Sequence, residues 1–380
     1  MPAILCVSTV DWDYLWHRPQ ELMSQFARDG YEVLYVDTLG LRSPKLSDLP
    51  RIASRVRNRL RARAGGLRRT DNEVHVCSPL VLPFLNSRLA RRLNLYHLIP
   101  ALQKALAQIG AEELIVWVYL PTWTVLQCVK NIPHRMLVYE CIDALSSNPA
   151  GVSLGYEAAE AEILQRADLV LASSESLYEE KKKHNPQTHW VPSGVAAHFF
   201  GPVEPVPQVE SLKRPRIGFF GALDHRLDLE LMKTLAQAHP DWSFVLIGAA
   251  RCDLAALLDK ENVHFLGAKP HAELPGYLSA LDVLYLPYVI DQFTLHVFPA
   301  KIYECLASGK PVVATALPSL GALSGVVRLA AGADEFERAL EAAVAEEDEG
   351  LQQQRVEVAQ ANAWESRFRE IRAYVEGKEE

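Results

Sequence analysis

No apolar run in the chain approaches the ~20 residues that a membrane-spanning helix needs, and none of its six cysteines stands in a C-x-x-C pair. Cys6, Cys77, Cys128, Cys141, Cys252 and Cys305 are scattered singly, so neither a zinc site nor a disulfide framework is indicated and reduced thiols are expected. Positive charge is not in surplus either. The formal charge is -8 at pH 7, which argues against nucleic acid as a partner, because phosphate backbones are met by excess Lys and Arg. The amino terminus runs straight into AILCVSTV with no basic stretch and no small-residue cleavage site, so a cytoplasmic protein is expected. The turns after the first strands of the two halves read STVDWD and FFGALD. Neither is G-x-G-x-x-G, which removes the dinucleotide fingerprint and the simplest oxidoreductase reading.

What is present is an ordinary globular mixture, 49% hydrophobic and 23% charged over 380 residues, enough for two or three domains with substantial cores. Its charge is unevenly placed. Residues 51–69 hold eight arginines and no acid, so taking that +8 from the total of -8 leaves about -16 on the remainder. Within that segment Ile52, Val56, Leu60 and Leu67 are spaced to give a helix with one apolar stripe and a basic face. This is the composition of an interfacial anchor on anionic lipid, with Arg55, Arg57, Arg59 and Arg61 as membrane contacts; the alternative is a solvated Arg-rich loop.

Short β-branched runs alternate with helical patterns, the signature of parallel βαβ units. The first set predicts strands over residues 4–8, 32–37, 114–119, 136–140 and 169–173, with helices over 19–30 and 87–109. The second predicts strands over 216–220, 243–247, 263–266, 283–287, 311–315 and 326–329, with a helix over 227–238. Between them GPVEPVPQVESLKRP, residues 201–215, reads as a linker. The expected organisation is one Rossmann-like domain over 1–200, a second over 216–361, and a tail over 362–380. In that tail Trp364, Phe368, Ile371 and Val375 recur at helical spacing, so its helix is expected to dock back. Two doubly wound α/β domains would bind ligands at the carboxyl ends of their strands, across an interdomain cleft.

The most specific stretch is LHVFPAKIYECLASGKPVVAT, residues 295–315. Pro299 suits a first helical position and Gly309 with Pro311 ends the helix, giving a short helix over 300–308. Its free N–H groups from Ala300 onward, together with its positive dipole end, suit a phosphate. Lys301 there would attract a diphosphate, and Glu304, one turn further on, would accept two ribose hydroxyls; the alternative is a surface ion pair.

The run PAKIYECLASGKPVVAT resembles the nucleotide-sugar-binding motif of GT-B glycosyltransferases of the glycosyltransferase 4-like group. VPSGV (191–195) is similar to that group's hinge motif, IGFFGALDHRLDLELM (217–232) to its glycine-loop and basic-residue motif, and ADLVLASSESL (167–177) to the end of its acceptor domain. The opening STVDWDYLWHRPQELMSQFARDGYEVLYVD resembles a subset involved in bacterial surface-polysaccharide assembly. The resemblance implies a GT-B fold and metal-independent transfer of a sugar without a cofactor. The donor would be a nucleoside-diphosphate sugar, UDP favoured over GDP or dTDP, and the acceptor a hydroxyl of a saccharide or lipid-linked saccharide. Carried over residue by residue, the donor site is Gly221, Arg226, Ala300, Lys301 and Glu304, with His296 where most relatives have the first Glu of E-x7-E. Base contacts would come from backbone near Gly248 and from the loop 267–270.

On the acceptor side, DWDYLWHRPQ gathers Asp11, Asp13, His17 and Arg18 just before a helix. D-W-D also fits a metal-binding D-x-D, but a helix end and two cations already serve the diphosphate, so no metal is expected. Asp143 follows the strand MLVYEC. For an inverting transfer, Asp13 or Asp143 would be the general base, with His17 a further catalytic candidate. Asp143 is favoured, because Arg18 and His17 beside Asp13 would lower its pKa. For each aspartate the alternative is turn or N-cap chemistry, and a retaining transfer would need no such base. Two readings of other classes stay open, a sugar-nucleotide epimerase of the same fold and a non-catalytic nucleotide-sugar or glycan-binding protein.

Overall fold

The computed structural model describes residues 2–13, 16–39, 67–79, 81, 87–145 and 156–378. The chain divides into two α/β units, Met1–Pro192 with Phe368–Glu380, and Ser193–Arg367.

The first unit contains β1 (Pro2–Val7), α1 (Arg18–Arg28), β2 (Glu32–Val36), β3 (Leu67–Arg69), β4 (His75–Cys77), α2 (Arg88–Gln108), β5 (Glu113–Val118), α3 (Trp123–Asn131), β6 (Met136–Cys141), α4 (Tyr156–Arg166), β7 (Leu169–Ala172), α5 (Glu175–Lys181) and β8 (Thr188–Trp190). Its sheet runs β3-β4-β2-β1-β5-β6-β7-β8, parallel apart from β3 against β4. Helices cover both faces, which is why strands such as LIVWV are apolar without alternation. On one face Leu5, Val116 and Tyr139 pack with Leu102 of α2, Val125 of α3 and Ile163 of α4. On the other, Ile4, Ile115 and Val138 pack with Leu22 and Phe26 of α1 and with Ile371 and Val375 of the last helix.

Strand β6 carries a buried charge network on each face. Glu140, fully buried, is bonded by Arg18 and by the Trp117 indole at 2.7 Å. Behind it, the Tyr139 hydroxyl donates to Glu160 at 2.6 Å, and Lys181 lies 3.0 Å from the same carboxylate. Deleting one partner from such a pair strands a charge, at a cost of about 3–5 kcal/mol.

The second unit contains α6 (Pro207–Glu210), β9 (Arg216–Phe220), α7 (Leu229–Ala238), β10 (Ser243–Ile247), α8 (Ala255–Leu258), β11 (Val263–Gly267), α9 (Leu274–Ser279), β12 (Val283–Leu286), α10 (Ile302–Ala307), β13 (Val312–Thr315), β14 (Arg328–Ala330), α11 (Ala333–Val344), α12 (Glu349–Ala361) and the start of α13 (Trp364–Glu376). The sheet order is β11-β10-β9-β12-β13-β14, with parallel pairing throughout. Trp364 is buried in this unit's core, while Ile371 and Val375, later in the same helix, are buried in the first.

Two expectations are corrected. The segment 201–215 is not a free linker, and the boundary falls at Pro192 rather than residue 200. Val195 exchanges backbone hydrogen bonds with Asn362 and Trp364, each 3.0 Å, and Phe199 and Val209 are buried in the second core. The prolines hold extended chain while isolated apolar residues anchor it, and no periodicity reveals such spacing. Leu67, read as part of a helical stripe, lies in β3. The hairpin β3–β4 turns through Glu73 at φ 63°, and its three-residue strands are too short to register as a pattern. The remainder of the arginine segment, with Arg55, Arg57, Arg59 and Arg61, lies outside the described residues.

Candidate active site

In each sheet, chain order reverses beside the first strand, between β1 and β5 and between β9 and β12. The carboxyl ends at such a switch point form the crevice where open parallel sheets bind ligands.

In the second unit that crevice is floored by glycine. Gly221, directly after β9, has φ 121°, and its N–H donates to Ile247 at 2.8 Å. Gly248, after β10, has φ 154°, and a Cβ there would stand 1.7 Å from the Gly221 carbonyl oxygen. Both the dihedrals and the close approach demand glycine. Over this floor lies Lys301. A Cβ on Gly221 would come 2.6 Å from its Cε and 2.7 Å from its Nζ. The ammonium donates to the Tyr288 hydroxyl at 3.1 Å and sits 4.9 Å from the Phe219 ring centre, a cation–π distance. Tyr288 is fixed in turn by Thr315, whose hydroxyl accepts the Tyr288 N–H at 2.9 Å and donates to its carbonyl at 2.9 Å. The result is a positioned cation above bare backbone at strand ends, an arrangement whose charge can receive an anion.

The helix behind it is shorter than expected. It spans Ile302–Ala307 only, because Pro299 closes a turn with the Ile302 N–H (2.9 Å) instead of opening the helix. Lys301 therefore stands at the N-cap and Ala300 is exposed one residue before it. Ile302, Tyr303, Cys305, Leu306 and Ala307 are all buried, so Glu304 is the residue this helix turns outward. Its Oε1 lies 2.8 Å from His271 Nε2; beside a carboxylate that nitrogen carries the proton. His271 is itself flanked by the rings of His198 and Phe199, at 4.9 and 5.1 Å.

Arg226 does not present an open fork. Its Nε and one terminal nitrogen reach the two oxygens of Asp224 at 2.9 and 2.8 Å. Burial works to raise the Asp224 pKa, but the bonds and charge of Arg226 outweigh it and hold the carboxyl below its usual range. His296 ends a 3-10 turn, Thr294–His296, and is half-buried. That loop is pinned by Asp291, which accepts the N–H groups of Phe293 and Thr294 at 2.9 and 2.7 Å and is held below its ordinary pKa, chiefly by the Thr294 bond. The Gly248 N–H donates to the Gly267 carbonyl at 2.9 Å, which ties the strand end expected to meet a base to the loop 267–270.

A cavity of about 520 Å³ opens at the other edge of this sheet, lined by Pro215, Asp282 and Pro311 at the amino ends of their strands and by Arg214, Lys310 and Arg355. Two of its three cations are already answered, Arg214 by Asp282 and Arg355 by Glu346. Despite its size it lies away from the carboxyl ends where parallel sheets bind ligands.

In the first unit the candidates separate. Asp11 accepts the Thr38 N–H at 3.2 Å, as a turn residue does. Asp13 is exposed and pairs with Arg68 at 2.6 Å. Arg18 is turned inward onto Glu140 and onto the Val191 carbonyl at 2.8 Å, and among the described residues Arg68, from a strand the sequence did not disclose, pairs with Asp13 instead. His17 caps α1, and its side chain is exposed. Asp143 stands half-buried two residues beyond β6, its carbonyl accepting the Leu145 N–H at 2.8 Å.

Residues 214–346 match the family described as Glycosyl transferases group 1. The chain is 29% identical to TuaH of Bacillus subtilis, named for teichuronic acid biosynthesis as a glycosyltransferase, over 70% of this chain and 73% of that one. The chain is a glycosyltransferase of the GT-B fold. Among solved structures, sucrose-phosphate synthase from Thermosynechococcus elongatus superposes with a TM-score of 0.73 at 17% identity, covering 99% of both chains. HepE of Anabaena, solved with UDP and glucose, gives a TM-score of 0.67 at 16% identity over 99% of this chain and 100% of that one. The matched segment begins just before β9 and so takes in the glycine floor, Lys301 and Glu304. Sequence reasoning missed Tyr288, Phe219, Thr315 and His271, which act by contact across the sheet end and follow no spacing rule. Asp224 was missed as well, although an acid two residues before Arg226 was a signal for their pairing.

Proposed function

We propose that this glycosyltransferase takes a sugar from a nucleoside-diphosphate sugar, UDP favoured over GDP or dTDP, and passes it to a hydroxyl of a saccharide or lipid-linked saccharide in bacterial surface-polysaccharide synthesis. The observation that carries the donor half is the Lys301 ammonium, steadied by Tyr288 and Phe219 above Gly221. A diphosphate meeting it gains a charge-assisted contact, and the same cation would neutralise the diphosphate as it leaves, without a metal ion. Glu304 would accept the ribose hydroxyls with the oxygen capacity that His271 leaves, since a carboxylate offers about four acceptor positions. Arg226 would support the phosphates only by exchanging part of its bond to Asp224. Asp143 would serve as base if the transfer inverts. UDP in the HepE structure supports the choice of base, and the name of TuaH supports the polysaccharide class.

Attachment to the inner face of an anionic membrane through Arg55, Arg57, Arg59 and Arg61 rests on their composition. No helix among the described residues is long and apolar enough to cross a membrane. A thermal-shift panel of UDP, GDP and dTDP, with and without EDTA, tests the donor reading. A ligand at 100 times its Kd adds about 2.7 kcal/mol, or several degrees in Tm. The largest rise is expected with UDP, unchanged by EDTA; no shift with any nucleotide, or one that needs manganese, would overturn it.

A further inference from the structure

Helix α2 (Arg88–Gln108) presents apolar side chains on the face away from its core. Leu98, Leu102, Ala105 and Leu106 are buried in the first unit. Yet Leu89 is 68% exposed, Leu93 43% and Tyr96 76%, and Pro100 is exposed as well. At 3.6 residues per turn these four fall within roughly a 60° arc. A helix apolar on both faces is normally buried on both, so this arc lacks a covering partner among the described residues.

The charges beside it say what would cover it. On the same wheel Arg92 lies at one margin of the arc, and Lys104 and His97 lie at the other; all three are exposed. The whole helix carries Arg88, Arg91, Arg92 and Lys104 and no Asp or Glu, and indeed no acid occurs anywhere from residue 74 to 111, in a chain whose net charge is -8. Arg91 is taken up within the unit, its guanidinium 5.4 Å from the Trp123 ring centre, whereas Arg92 and Lys104 stand exposed beside the apolar arc.

We infer that the outward face of α2 is a lipid-docking surface. It would lie in the plane of an anionic bilayer, with Leu89, Leu93, Tyr96 and Pro100 in the acyl boundary and Arg92 and Lys104 at the phosphate level. An apolar centre with basic margins is the geometry of interfacial helices. A tyrosine at the centre suits the headgroup boundary, where its ring is apolar and its hydroxyl wet. This rests on the peripheral-membrane reading but not on the donor site, and it moves the anchoring contact from the arginine segment to a formed helix.

The test is co-sedimentation of the full chain with phosphatidylcholine vesicles containing or lacking phosphatidylglycerol, at low and high salt. Arg92→Gln with Lys104→Gln should lower partitioning onto the anionic vesicles about 25-fold, taking fivefold per cation. Leu89→Ser with Leu93→Ser should lower it at least tenfold. Tm and nucleoside-diphosphate binding should stay unchanged in both, because these side chains are exposed. A third variant, Arg55, Arg57, Arg59 and Arg61 to Gln, separates the two anchors. If it alone releases the protein, α2 is not the docking surface although membrane binding stands. If the wild type binds neither vesicle, both readings fall. If the α2 variants bind like wild type, or change only self-association, the lipid assignment to α2 is wrong.

Discussion

Replacing Glu304 with alanine isolates ribose recognition. The side chain is the polar one on a six-residue helix whose other five are buried, and it is not part of the hydrophobic core, so the fold should hold. One of its oxygens is engaged by His271 at 2.8 Å, which leaves lone pairs enough for both ribose hydroxyls. Hydrogen bonds to a charged acceptor are worth about 1.5–3 kcal/mol each. Loss of a single effective bond therefore weakens UDP about 10- to 100-fold, and loss of two weakens it further. Titration calorimetry with UDP and with its 2′,3′-dideoxy analogue makes the measurement specific. Wild type should prefer UDP by the same factor that the mutation removes, and Glu304→Ala should bind the two alike. His271→Ala should fall between, with His271→Gln restoring part of the loss, because an amide can donate where Nε2 does. If the variant keeps the wild-type preference for UDP, Glu304 does not touch the ribose and the reasoning fails.

Gly248→Ala places a methyl 1.7 Å from the Gly221 carbonyl oxygen at φ 154°, so it should cost at least about 2 kcal/mol and abolish nucleotide binding; Gly325→Ala, with open space around it, should lose neither, and equal Tm values for the two would contradict the geometry of the floor. Asp143→Asn should reduce turnover about 10²- to 10⁴-fold with donor affinity unchanged if the enzyme inverts; turnover within a few-fold of wild type rejects it as base. Asp224 has its folded pKa below the ordinary 3.8, so its pairing with Arg226 stabilises the fold above that value and the contribution is lost as pH falls through the folded pKa. Wild type should therefore exceed Asp224→Asn in Tm down to about pH 5 and converge with it in more acid solution; a gap that stays constant as the pH falls through the acid range would show that the pair is not its origin.

The second sheet was legible almost strand by strand, because runs such as RIGFF and SFVLI, bounded by Pro, Asp and Gly, permit little else. Lys301 and Glu304 were singled out by the helix signals at Pro299 and Gly309 and by the motif resemblance; the structure sets Lys301 over Gly221 and Glu304 beside His271, and their contacts to a donor belong to the proposal. The failures have a common origin in distance along the chain. Arg18 stood beside Asp13 in sequence, yet its partner is Glu140 in β6, and burying that pair outweighs local proximity. Arg68 reaches Asp13 instead, through a hairpin too short to show periodicity. Tyr288 and His271 come to Lys301 and Glu304 only because parallel strands end side by side. Leu67, expected at the end of a helical stripe, lies instead in a strand because it pairs with Cys77, and pairing at a sheet edge overrides weak helical spacing; Ile52, Val56 and Leu60 lie outside the described residues.

The measurement that tests the central claim most directly is a crystal structure with UDP. The diphosphate is expected against Gly221 within hydrogen-bond distance of Lys301 Nζ, with the ribose on Glu304 at the carboxyl end of β9 and β12. A nucleotide found instead in the cavity beside Lys310 and Arg355, at the amino ends of the same strands, would contradict the account, as would a diphosphate held through a metal ion on Asp11 and Asp13.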